Sequence, residues 1–110
     1  MIKATIYKTD RHEYAGFDIS GHAEYSESGS DIVCAAVSAI VINTINSIDK
    51  FTDDKTNCVS DEESGAIEFR FGQIPSHDAS LLLDSMVLGL EQIEDSNEYE
   101  PYIDIIFKEV

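Results

Sequence analysis

Two side chains in this sequence have the types and the spacing for nucleophilic catalysis. His22 and Cys34 stand twelve residues apart in the stretch SGHAEYSESGSDIVCAAVS, from Ser20 to Ser38. A histidine titrating near neutrality can take a thiol proton and later protonate a leaving amine. The thiolate left behind is the attacking species in thiol chemistry. Residue types alone leave a second reading open, because a cysteine in an alanine-rich run is commonly a small buried hydrophobe.

The chemistry requires a helix start under the thiol. From Ile32 to Ile48 apolar residues recur at helical spacing: Val33, Val37, Ile40 or Val41, Ile45 and Ile48. Asp31 is the expected N-cap, with Ser30 next. That choice puts Cys34 at the third helical position. There, unpaired backbone N–H groups and the positive end of the helix dipole favour thiolate and can hold an oxyanion. Gly21 ends the preceding strand, and Gly29 allows backbone to approach a substrate closely. Asp31 and Ser38 are the candidates for a third residue that orients His22; a cap for Asp31 and packing for Ser38 are the competing roles. Between base and nucleophile runs the polar linker Ala23, Glu24, Tyr25, Ser26, Glu27, Ser28, Gly29 and Ser30, which is read as a mobile cover over the substrate.

The remaining elements follow from periodicity. Ile2, Ala4 and Ile6 alternate with Lys3, Thr5 and Tyr7, and Ala15, Phe17 and Ile19 alternate in Tyr14–Ser20, so a first hairpin turns through Thr9–Glu13. His12 falls in that turn as a solvated residue. A second hairpin joins a strand over Lys55–Ser60, which contains Cys58, to one over Ala66–Phe71, through Asp61–Gly65. Ser76 caps a second helix with Asp78 in its first turn and a stripe of Ala79, Leu82 or Leu83, Met86, Leu90 and Ile93; His77 is exposed at its start. A last strand covers Tyr102–Lys108. The order β-β-α-β-β-α-β predicts one α+β domain over residues 1–110. Its expected form is a two-layer sandwich with a mainly antiparallel sheet of about five strands and two helices.

Composition narrows the partners. Seven Lys and Arg stand against 22 Asp and Glu, a formal charge of −15. Such a chain is repelled by nucleic-acid phosphates and by anionic membranes, and it attracts basic partners; acidity also serves solubility alone. Asn43, Asn46 and Asp49 interrupt the most apolar stretch, so no membrane span is expected. The N-terminal MIKATIYKTD lacks the apolar region of a signal peptide, which together with only two cysteines predicts a cytoplasmic protein with reduced thiols.

Gly21-His22-Ala23, then Gly29, then Asp31-Ile32-Val33-Cys34-Ala35-Ala36-Val37-Ser38-Ala39 resemble the signature of the ribosomal-processing cysteine protease family, Prp. The resemblance implies Cys34 as nucleophile and His22 as base. It also implies a substrate: the N-terminal extension of a basic large-subunit ribosomal protein, cut after aromatic residues. An apolar pocket near the site would follow, with Tyr25 and residues of the first helix as walls. It implies a homodimer as well.

The chemistry calls for no cofactor and no metal. His22, Cys34, Cys58 and His77 lack the close pair spacing of a structural zinc site, and no CxxC motif supports thiol redox work. A non-catalytic acidic module that binds a ribosomal protein or assembly factor is the alternative function.

Overall fold

The computed structural model describes the backbone of residues 1–21 and 28–110, and side chains of residues 1–21 and 32–110. His22, Ala23, Glu24, Tyr25, Ser26 and Glu27 therefore lie outside the described residues, as do the side chains of Ser28, Gly29, Ser30 and Asp31. The elements in order are β1 (Ile2–Lys8), β2 (Tyr14–Ser20), α1 (Ser28–Phe51), β3 (Thr56–Ser60), β4 (Ile67–Phe71), α2 (His77–Glu94), a short 3-10 turn (Glu100–Tyr102) and β5 (Ile103–Glu109). This is the α+β order that the periodicity predicts.

The strands form one sheet in the order β3-β4-β2-β1-β5. Three of the four pairings are antiparallel, and β5 lies parallel to β1 with Ile2 opposite Ile103 and Ala4 opposite Ile105. A parallel partner needs a long crossover, and everything from β2 to α2 supplies it. The first hairpin closes where the predicted turn sits, with Thr9 N–H donating to Glu13 O at 2.8 Å and His12 exposed at a positive φ of 62°.

Period-two alternation puts one apolar face under both helices. Ile2, Ala4, Ile6, Phe17, Ile19, Phe69 and Ile103 are buried there against Val33, Val37, Val41 and Ile48 of α1 and Ala79, Leu83, Met86 and Leu90 of α2. At its centre Phe17 stacks on Phe69 with ring centroids 4.9 Å apart, and Phe71 meets Phe69 edge-on at 5.2 Å. Phe69→Ala removes this ring from a fully buried position and is expected to lower unfolding stability by about 3–5 kcal/mol. Urea melts would register it as a drop in midpoint at unchanged slope. On the opposite face Asp18 accepts hydrogen bonds from Tyr7 Oη and Arg70 Nη1, both at 2.8 Å. Partial burial pushes the Asp18 carboxyl up, but these two donors outweigh it and hold the group below its ordinary range.

Helix α2 starts as its sequence indicates. Ser76 caps it, its Oγ accepting from Ala79 N–H at 3.1 Å, and Asp54 accepts from Ser76 N–H at 2.8 Å. Helix α1 departs from expectation at its start. It begins at Ser28, so Ser30 and Asp31 are helical residues of the first turn and neither is the cap. Ser30 and Asp31 are both good N-cap residues by type, but an acidic residue is also favoured by the dipole inside the first turn. The local signal was therefore degenerate. By length and composition Ile32–Phe51 would suffice to cross a membrane, contrary to the expectation from its Asn residues. In the fold its Val33, Val37, Val41 and Ile48 face roofs the core, and buried Thr44 gives its hydroxyl to Ile40 O at 2.8 Å.

Candidate active site

The end of β2 and the start of α1 bracket the proposed chemistry. Gly21 closes β2 at φ 84° and lies so close to the Met1 carbonyl that a Cβ there would collide with it. Only glycine adopts that backbone without strain in that space, so the end of β2 depends on it. Six residues, 22–27, then join Gly21 to the first residue of α1.

With α1 starting at Ser28, Cys34 is the seventh helical residue and not the third. Its own N–H is inside the helical ladder. The orphan N–H groups belong to residues 28–31, in the turn that precedes it. Side chains on a helix lean toward its N-terminus, so a thiol at position 34 is carried back toward that turn. The helix-start donors therefore lie one turn before the Cys34 backbone, and not at Cys34 itself as the sequence predicts. Cys34 is partly buried and packs at the margin of the core.

Helical geometry fixes what accompanies Cys34. Ser38, Ile42 and Ile45 follow it at four, eight and eleven residues, on one flank of α1. Ser38 is exposed one turn after the thiol, which disfavours a packing role for it. The opposite flank, with Ile40 and Asn43, turns to α2 and lines the channel between the helices with Ser85, Leu88 and Gly89. The Cys34 flank instead faces edge strand β3: Ile42 and Ile45 form a groove of about 190 Å³ with Cys58, Ser60 and Ile67.

Sequence reading did not find this groove. Cys58 is a strand residue as expected, but it is exposed, because β3 is a sheet edge. It pairs with Phe69 and so points to the helix side of the sheet. Desolvation there pushes the Cys58 thiol up, which opposes reactivity. The i, i+4, i+8, i+11 series from Cys34 was the available signal, and it needed the position of β3 to acquire meaning.

A zinc site using Cys34 and His77 is ruled out by the fold. His77 lies at the start of α2, near Asp54 and beyond the C-terminal end of α1, against Asp78. The seventeen residues from Cys34 to the end of α1 span about 25 Å of helix. Among the described residues no three of His, Cys, Asp and Glu converge as metal ligands.

Comparison with known proteins places the chain. The family model for cysteine protease Prp matches residues 1–104. The ribosomal processing cysteine protease Prp of Staphylococcus aureus is 31% identical over 108 residues, which is 98% of this chain and all of that one. The Prp of Bacillus subtilis is 32% identical over 98 residues, covering 86% of this chain and 88% of its own. In three dimensions the fold matches the S. aureus protease bound to a substrate peptide with a TM-score of 0.90, and the same protease covalently linked to a product peptide with 0.87. Both are 30% identical over 98% of this chain and the whole of the other. With the family model matching residues 1–104 and relatives of about 30% identity covering nearly all of it, the chain belongs to the Prp family of cysteine proteases.

Proposed function

We propose that this protease removes the N-terminal extension of a basic large-subunit ribosomal protein through a Cys34–His22 dyad. The observation that supports the reading is that the signature cysteine lies in α1 and the signature histidine follows β2 in sequence, in the short segment that joins these two elements. His22 takes the thiol proton. The Cys34 sulfur attacks the scissile carbonyl, and N–H groups of the α1 first turn receive the oxyanion. The imidazolium protonates the departing amine, a thioester remains on Cys34, and water activated by His22 releases it. The relative similar in fold holds a covalently linked product peptide, which fits a covalent intermediate of this kind.

The acidic chain suits a basic substrate, drawn in by a formal charge of −15. Residues 23–30 cover the peptide in this reading, and Tyr25 packs on an aromatic side chain before the cut. The enzyme acts in the cytoplasm as a homodimer; exposed Ile32, Leu81 and Leu88 on the outer surface of the helix layer support a second copy there. Incubating the purified chain with the extended ribosomal protein should yield a product shortened at its N-terminus by one discrete segment, read by intact-mass spectrometry. An unchanged mass would reject this substrate.

A further inference from the structure

The nucleophile and the edge-strand groove share one side of α1. Cys34 is near the start of that flank, Ile42 is eight residues on, and Ile42 and Ile45 wall the groove with Cys58, Ser60 and Ile67. Eight helical residues rise about 12 Å, which an extended chain covers in three or four residues. Among the described residues β3 pairs only with β4, so its outer edge presents backbone N–H and C=O groups to any extended segment laid beside it. The other edge strand, β5, lies beyond β1 and packs with α2, on the far side of the sheet from this flank. At the Ser60 end the turn carries Asp61, Glu62 and Glu63, all exposed, which suits a basic peptide. The groove walls are apolar and its volume accommodates one large side chain.

Resting on the reading of Cys34 as nucleophile, we propose that the substrate peptide runs from Cys34 along the outer edge of β3. A large apolar side chain three or four residues from the scissile bond then seats between Ile42, Ile45, Cys58, Ser60 and Ile67. Strand addition supplies affinity through backbone hydrogen bonds, and the groove supplies selection through the side chain it accepts. The site is separate from the aromatic pocket expected beside the cut, because it lies about two helical turns further along α1. Length of peptide therefore matters as well as the residues at the bond.

Cys58 makes the groove testable by binding alone. In Cys34→Ser the Cys58 thiol can be followed by alkylation without turnover. A peptide from the extension reaching about six residues to each side of the cut should slow Cys58 alkylation severalfold, and one trimmed to two residues on each side should not. Equal alkylation with and without the long peptide, at concentrations that saturate the enzyme, would overturn the proposal. In the otherwise native enzyme, kcat/KM should favour the long peptide over the short by roughly 10–100-fold, the worth of burying one large apolar side chain. Cys58→Trp fills the groove from an exposed edge position, and the preference should fall close to unity. Cleavage that depends on Cys34 with Cys58 left unprotected would remove the groove while the protease reading stands. Undiminished cleavage by Cys34→Ser would instead sink that reading, while protection of Cys58 is judged on its own.

Discussion

Cys34→Ser is expected to leave a folded protein with cleavage reduced on the order of 10⁴-fold or more, the scale seen when a nucleophile is removed from a hydrolase. Serine keeps the shape of the side chain, and Cys34 is only partly buried, so the core of Val33, Val37 and Val41 stays closed. What is lost is the thiolate. A serine hydroxyl is far less acidic than a thiol, so at neutral pH it is a much weaker nucleophile in the same position. Circular dichroism melts should match the parent while a fluorogenic extension peptide goes uncut. Iodoacetamide at neutral pH should label Cys34 ahead of Cys58, whose thiol is pushed up by desolvation. Preferential labelling of Cys58, or residual turnover within tenfold of the parent, would move the nucleophile elsewhere.

His22→Ala carries the second large effect, a fall in kcat of ~10²–10⁴-fold, the usual contribution of a positioned acid–base group. Gly21 sets the chain direction into position 22 from its own φ of 84° and its contact with Met1, so the strand end should survive the change. A loss caused by a missing proton acceptor has a signature that a folding defect lacks. Added imidazole should restore part of the rate, and the rise of rate with pH through the neutral histidine range should disappear. If a folded His22→Ala protein cleaves at the parent rate, His22 has no part in the mechanism.

The elements themselves were legible in the residues. Alternation in Ile2–Tyr7 and Tyr14–Ser20, the Ser76 cap and the helical recurrence through Ile48 are properties of short segments, and each segment carries its own period. The histidine and cysteine signature was legible because in this chain both residues fall within one short stretch, Gly21 to Ala39, whose pattern resembles that of the family. Other features depended on partners distant in sequence. Nothing in Ile103–Glu109 encodes pairing with β1 in parallel, because any amphipathic strand can add to an open edge; β5 takes the β1 edge while β4 takes that of β2. At the start of α1 the sequence offered Asp31 or Ser30 as the cap, both good by type, but the helix begins at Ser28, which moved Cys34 from the third helical position to the seventh. The exposure of Cys58 followed from sheet order, which made β3 an edge. By itself the sequence determined which residues are the candidates for the chemistry and the order of the strands and helices around them. Tertiary structure alone decided which surface lies beside the thiol, because the Cys34 flank of α1 meets β3 only after four strands have chosen their neighbours.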